Sequence, residues 1–546
     1  MGIFDRFKSY SEDNGMRYAV RRAGEKAAER VNRGWDKTWR LISADDETLQ
    51  RQRDAQPDAG LISVAIPVYN TDPDMLLALA ESLTAQTYQR WEACMFVAGD
   101  SIPTEEALSR IAGMDPRLRI LHGSVNEGIA GNTNHAIGMS MGDWVALCDH
   151  DDLLPPEALW MVASEIAKGD ADVIYTDEDR IDPAGRVHSE PHLKPDFAPD
   201  TLRSMNYICH LMAVRRTLLE EVGGERTGFD GSQDHDLALR LAEKTARFRR
   251  VPVVGYHWRI VENSVSHLHA DRCLEASARA VAEHMERTGW YGTAEPYKGV
   301  LRLRYELRDL AAAVFVTAAS EQEALPCVKA LKTVLPERVT VAAAVGADRF
   351  AAMNRAAARS DAALIMFVDA SVRGFTPGFF EELAMYAQRT DVGMVTPMLV
   401  NGSGRITHAG FIVNANGGLR CRNQGLPREA GGHYRLNHVS HNVGAVSPAC
   451  FMVRRSEWLP LDPAYHTAFA TADACMAMNA KGLHHVFTPH AQAVCTGPEE
   501  LLLLKEERNA DDRLLFNRHW GDTPDPCWNP LLRNDRGDLS PRRMDL

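Results

Sequence analysis

Three carboxylates fall within four residues at Asp149-His150-Asp151-Asp152, directly after the apolar run Trp144–Cys148. Like charges this close need a cation. Hard oxygen ligands suit Mg2+ or Mn2+, which also bind phosphate oxygens. The plainer alternative is a solvated acidic turn that caps a helix starting at Pro155-Pro156. A second group, Asp177-Glu178-Asp179, follows the short strand expected at Val173–Tyr175, with Lys194 downstream to offset its charge. A third carboxylate of interest, Asp234, stands in Gln233-Asp234-His235-Asp236-Leu237, on a turn that opens a helix expected over Asp236–Lys244. There it could act as a proton acceptor or as a helix cap.

The elements around these acids alternate between strand and helix, the pattern of an α/β protein with a mostly parallel sheet. Leu61–Ile66 reads as a strand stopped by Pro67, Pro73–Gln86 as a helix, and Trp91–Ala98 and Leu118–His122 as strands. Ile129–Met141 reads as the helix before the strand that ends on the acids. In such sheets ligands bind at the carboxyl ends of the strands. This places Pro67–Asn70, Ala98–Asp100, Asn126–Gly128 and Asp149–Asp152 around one mouth. A second alternation starts near Ala311 and repeats the order of the first: strands at Ala312–Thr317, Val339–Ala344 and Ala363–Asp369, helices at Glu321–Leu331 and Phe350–Arg359. We therefore expect a duplicated architecture: a basic helical segment and linker over residues 1–58, a first domain over 59–300, a second over 308–500, and a C-terminal helix and tail over 501–546.

A length of 546 residues exceeds what one core serves. The net charge of −13 argues against a nucleic-acid-binding face. No run approaches the roughly 18 apolar residues of a membrane span, and the start lacks an apolar signal core, so a cytoplasmic protein is expected. The ten cysteines show no C-x-x-C pair, as in a reduced protein without a zinc site. Residues 1–41 carry ten Lys/Arg against six acids and apolar residues at partly helical spacing. This segment is either a solvated helix packed on the next domain or a basic amphipathic helix at the inner membrane surface.

The order of short motifs resembles the family 2 glycosyltransferases, inverting enzymes of the GT-A fold, and among them the bacterial subgroup acting on surface polysaccharides such as O-antigen or capsule. The matching segments are Ile66-Pro67-Val68-Tyr69-Asn70, Asn126-Glu127-Gly128-Ile129 with Asn132 and Asn134, and Asp149-His150-Asp151-Asp152-Leu153-Leu154. They continue through Tyr175-Thr176-Asp177-Glu178-Asp179, Lys194-Pro195-Asp196, Asn206-Tyr207, Gly223-Gly224 and Gln233-Asp234-His235-Asp236-Leu237 to Tyr256-His257-Trp258-Arg259. About 200 residues are covered in the right order.

The resemblance implies a transfer of sugar from a nucleotide-diphosphate donor, UDP- or dTDP-linked, to a hydroxyl of a glycan or lipid-linked acceptor, with Mn2+ or Mg2+ as cofactor. It implies that Asp149, His150 and Asp151 form the metal-and-ribose motif, that Asp234 is the base, and that His257 contacts the metal or diphosphate. Pro67, Tyr69, Asn70 and Asp100 occupy positions that cup the nucleotide base, and Asn132 contacts base or ribose or else packs on a loop. Asp177, Glu178, Asp179, Lys194, Gln233 and Trp258 face the donor sugar or the acceptor. A sugar-nucleotide pyrophosphorylase would want a Gly-rich, basic loop where Pro67-Val68-Tyr69-Asn70-Thr71 stands. A non-catalytic binding or scaffold protein built on such domains is the other alternative, and the intact acids count against it. The second domain keeps traces of the same family but only one carboxylate, Asp369-Ala370-Ser371, at the end of its equivalent strand, and Thr471 at the place of Asp234. It is expected not to catalyse.

Overall fold

The computed structural model describes residues 35–99, 105–261, 269–413, 418–496 and 506–532. The basic segment up to residue 34 and the candidate Asp100 lie outside the described residues.

The first sheet contains β1 (Ile62–Val68), β2 (Trp91–Val97), β3 (Leu118–His122), β4 (Trp144–Leu147), β5 (Val173–Ile181), β6 (His188–His192), β7 (Met212–Arg215) and β8 (Phe248–Arg259). Its order is β3-β2-β1-β4-β7-β5-β6, with β8 also on β5. β3, β2, β1 and β4 run parallel to one another, as do β5 and β8, while β7 and β6 are antiparallel to their neighbours. Every residue of β1 and β2 is buried. A parallel strand covered on both faces needs a near-continuous apolar sequence, and these have it. The exception, buried Glu92, accepts hydrogen bonds from Ser63 Oγ at 2.7 Å and from Arg119 Nη1 at 2.6 Å.

The crossover helix Pro73–Thr84 begins on a proline, and the Asp72 carboxylate caps its Asp74 N–H at 2.9 Å. The helix expected at 129–141 spans Gly128–Gly138. Beyond the helix Ala270–Arg287, β9 (Gly292–Tyr297) and β10 (Val300–Tyr305) form an antiparallel hairpin, so residue 300 opens a strand.

The second sheet contains β11 (Ala312–Ala318), β12 (Thr340–Val345), β13 (Leu364–Asp369), β14 (Val372–Arg373), β15 (Val392–Val400) and β16 (Ile406–His408). It is completed by β19 (His441–Val443), β20 (Cys450–Arg454) and β21 (His484–Cys495), while β17 (Phe411–Val413) and β18 (Leu419–Cys421) pair apart. Its path β12-β11-β13-β20-β15-β21 repeats β2-β1-β4-β7-β5-β8, with the same parallel and antiparallel senses at each step. The turns after β5 and β15 match as well. Asp182 Oδ1 accepts from Arg186 N at 2.6 Å, and Asn401 Oδ1 accepts from Arg405 N at 3.0 Å. The fold is thus α/β of the GT-A type, present twice.

One apolar cluster runs unbroken from the first sheet, through the hairpin, into the helix Phe379–Ala387 and the second sheet. Among the described residues, no helix is long and apolar enough to cross a membrane.

Candidate active site

β1 and β4 are neighbours at the point where the strand order reverses, which is where such sheets open a crevice. The His150 Nδ1–H donates to the Pro67 carbonyl at 2.8 Å, tying the two strand ends together. Asp152 is fully buried. It accepts the Tyr256 hydroxyl at 2.6 Å and the Arg259 N–H at 2.6 Å, while Leu153 and His257 exchange backbone hydrogen bonds. Burial, together with Asp151 and Asp149, pushes its carboxyl well above the usual range. Asp152 therefore pins the acidic loop to β8, and Asp149 and Asp151 are the acids left for a ligand. The Asp149 carboxylate is 40% exposed. Its backbone N–H donates to the Tyr256 hydroxyl oxygen at 3.0 Å.

His210, a residue that no spacing in the sequence singles out, stands at the centre. Its Nε2 is 3.4 Å from Asp149 Oδ2, its backbone N–H donates to Glu178 Oε2 at 3.3 Å, and its ring stacks on Tyr256 at 5.0 Å. Burial alone would lower the imidazole, but Asp149, Asp234 and Glu178 outweigh it and raise it to about 10. Buried Glu225 is raised well above the usual carboxyl range by burial and then by Asp234 and Asp149.

Asp234 lies in the first turn of the helix Gln233–Ala242. The cap position is Ser232, two residues before Asp234, so Asp234 is not the helix cap. Asn206 Nδ2 donates to Asp234 Oδ2 at 2.7 Å and His235 N to Oδ1 at 2.8 Å. Gln233 closes the preceding turn by accepting from Gly231 N at 2.7 Å.

The other acids separate by strand alternation. Glu178 lies with His210, accepts from His192 Nδ1 at 3.0 Å and from Lys194 Nζ at 3.0 Å, and is lowered to about 2 because Lys194 and His192 overcome its burial. Lys194 is fully buried and also donates to the carbonyls of Ile208 and His210 at 2.6 and 2.7 Å, so it is an internal strut. Asp177 and Asp179 take a different set of partners. Asp177 accepts from Asn529 Nδ2 at 2.8 Å and Lys194 N at 2.9 Å. Asp179 accepts from Trp35 Nε1 and His188 Nδ1, each at 2.9 Å, and from His257 Nδ1 at 2.6 Å.

His257 is accordingly grouped with Asp179 and His188 and not with Asp149 and Asp151, because Tyr256 and His257 alternate along β8. Among the described residues, Asp179, His188 and His257 are the set whose donor atoms lie within 4.8 Å of one another. All three donors are already joined by the hydrogen bonds above, under the ring of Trp39. The resemblance implies a metal or diphosphate contact for His257, whose Nδ1 is bonded to Asp179 in the structure.

Tyr69 is 37% exposed and Asn70 takes a left-handed φ of 49°, so the loop after β1 turns outward at the mouth. Asn132 is buried and its amide closes the 126–128 loop, donating to Asn126 Oδ1 at 2.8 Å and accepting from Glu127 N at 3.2 Å. Asn134 pairs with the backbone of Glu225, so close to Gly224 (φ 67°) that a Cβ there would meet its Oδ1 at 2.4 Å. The loop-packing role, which the sequence left open for Asn132, is the one its contacts show. Trp258 is half-buried with the Arg180 guanidinium 5.0 Å from its ring.

The second sheet lacks this arrangement. Asp369 accepts from Ser371 N at 2.9 Å and pairs with Arg349 at 3.1 Å. Thr471 donates to the Val446 carbonyl at 2.9 Å. Three residues before the shared turn, Met398 faces Gln492 where the first sheet sets Asp179 against His257.

The sequence profile of glycosyl transferase family 2 matches residues 63–223. The chain is 31% identical to "Uncharacterized protein y4gI" of Sinorhizobium fredii over 94% of its own length and 62% of the relative's. It is 29% identical to "O-antigen biosynthesis protein RfbC" of Myxococcus xanthus over 88% of this chain and 41% of that one. To the chondroitin synthase of Pasteurella multocida it is 25% identical over 36% of this chain and 20% of the relative. The chain therefore spans less than two thirds of the length of these relatives. The match to the family 2 glycosyl transferase profile thus covers residues 63–223, with the acidic loop near its centre and Asp234 just beyond its end.

Proposed function

We propose that the first domain transfers a glycosyl unit, with inversion, from a nucleoside-diphosphate donor to a hydroxyl of a saccharide or lipid-linked acceptor in the synthesis of a bacterial surface glycan, on the cytoplasmic side of the membrane. The observation that carries this reading is the acidic loop at the reversal point of the sheet, where Asp149 Oδ2 lies 3.4 Å from His210 Nε2 and Glu178 accepts the His210 N–H at 3.3 Å. Asp149 and Asp151 would hold Mn2+ or Mg2+. Their hard oxygens suit such an ion, the Asp149 carboxylate is open to solvent, and the adjacent His210 Nδ1 is buried without a partner, a sign of polar volume at the site. The ion supplies positive charge for the diphosphate.

The protein's own share is positioning and proton transfer. Asp234, oriented by Asn206 and the His235 N–H, accepts the proton of the acceptor hydroxyl. The freed oxygen forms a bond to the anomeric carbon as the bond from that carbon to the diphosphate breaks, and the nucleoside diphosphate departs with the electron pair. Attack from the face opposite the leaving group inverts the centre. Tyr69 and Asn70, at the mouth beside Pro67, are assigned to the nucleotide.

Asp234→Asn keeps shape and hydrogen-bond reach but removes the acceptor of the proton. Turnover should fall by about 10²–10⁴-fold while binding of UDP with Mn2+ in a titration is kept. A folded variant with full turnover would overturn the assignment. Absence of nucleotide binding and of donor hydrolysis in the unmodified protein would favour a scaffold.

A further inference from the structure

The second domain reaches into the rim of the first domain's site. Its loop before β19 places Tyr434 face to face with His192, the ring centres 3.9 Å apart and the planes 13° from parallel. The Tyr434 hydroxyl donates to the Glu190 carbonyl at 2.8 Å, and Arg435 donates to the Lys298 carbonyl at 2.6 Å. Tyr434 and Arg435 both take left-handed backbone angles, φ 45° and 62°, a conformation that side-chain-bearing residues hold only where the surroundings enforce it. His192 in turn holds Glu178, which reaches His210 beside Asp149. From there the surface continues along one face of β5 and β8. Arg180 pairs with Glu190 at 2.7 Å, with side chains 26% and 51% exposed, and lies over the Trp258 ring.

Two half-buried aromatic rings flanking an accessible guanidinium–carboxylate pair have the composition of a saccharide subsite. The apolar face of a pyranose stacks on an aromatic ring, and its hydroxyls find planar charged donors and acceptors. The geometry points to an acceptor subsite shared between the domains, in which Tyr434 of the second domain and Trp258 of the first stack pyranose rings of an oligosaccharide, and Arg180 and Glu190 bind their hydroxyls. This rests on the transferase reading above and adds to it what the second domain contributes.

The test separates the two substrates. Binding of the full-length protein to an array of immobilised pyranose di- to tetrasaccharides reads the subsite, and titration of UDP with Mn2+ reads the nucleotide side. Tyr434→Ala should weaken saccharide binding about tenfold or more while the UDP affinity stays within twofold. Tyr434→Phe, which keeps the ring and loses only the bond to Glu190, should restore most of the binding. A purely structural role would move both readouts together. Saccharide binding unchanged in Tyr434→Ala, no saccharide bound by the unmodified protein, or a parallel loss of UDP affinity would each overturn the subsite. Absence of UDP binding in the unmodified protein would instead count against the transferase reading.

Discussion

Two aspartates three positions apart, Asp149 and Asp152, face opposite demands. Asp152 is sealed in by Tyr256 and the Arg259 backbone. Asp149 is left open beside a histidine that its charge helps to keep protonated. Asp369 in the second sheet shows what happens when neither demand exists. Its carboxylate is buried against Ser371 and Arg349, and among the described residues it belongs to no acid cluster that could hold a metal. Asp369→Ala should therefore leave the rate of glycosyl transfer within twofold of the unmodified protein while lowering stability, since Arg349 loses its partner. Steady-state transfer and a urea melt measure the two effects, and a lost activity would mean a second catalytic centre. The acidic loop and Asp234 were legible in the sequence because clustered carboxylates demand explanation. His210 and Glu225 were not, since an isolated histidine or glutamate has no spacing signal, and only the closed sheet brings them beside the loop.

At the level of strands and helices, the alternation of strand and crossover helix was readable because parallel strands buried on both faces must be apolar throughout. The alternation of single residues along β5 and β8 was not. These strands are polar, irregular in register and buried, so sequence alone does not assign Glu178 to one face and Asp177 and Asp179 to the other. The second sheet carries its own polar liability on the β19–β21 ladder, where His441 and His485 are each 1% exposed. Burial lowers their imidazoles to about 3 and about 4. The Met394 N–H donates to His485 Nδ1 at 3.1 Å, so a proton on that nitrogen would face another donor. Because the folded values lie below the unfolded value, the unfolded chain binds more protons between pH 6.5 and about 4, and stability falls as pH drops through that window. The expected loss is about 1.4 kcal/mol per pH unit for each such group. Urea melts at pH 7.5 and pH 5 should show it. His485→Gln, which can accept from Met394 and donate to the Cys475 carbonyl, should show a shallower pH dependence; an unchanged slope would assign the acid sensitivity elsewhere.

For the whole molecule, the two sheets are joined by more than apolar contact. Arg389, 1% exposed, pairs with Asp200 of the first domain and with Asp391 of its own, and its guanidinium lies 5.0 Å from the Tyr305 ring. Asn442 completes the junction by donating to Asp200 Oδ2 at 3.0 Å and accepting from Asp200 N at 2.8 Å. The described ends of the chain are drawn into the same assembly, with Trp35 and Trp528 in one small core beside Leu193, Val254 and Ile412. Such a junction fixes the second domain's Tyr434 against His192, which a flexible tether could not do. Arg389→Met keeps much of the apolar volume but leaves the buried Asp200 carboxylate with Arg203, 3.3 Å away, as its remaining cation, a loss of up to about 3–5 kcal/mol for a broken buried pair. We expect the two domains to part before either unfolds, loosening the already exposed segment at 306–311 so that trypsin cuts faster at Arg308. Adding Asp200→Asn removes the charge that Arg203 alone would have to balance and should recover part of the loss, since an under-compensated buried ion is the costly element. Limited proteolysis with urea melts of the single and double variants decides the matter. A single variant as protease-resistant as the unmodified chain would show that apolar packing alone holds the domains together, and the ion cluster would then be a matter of register rather than adhesion.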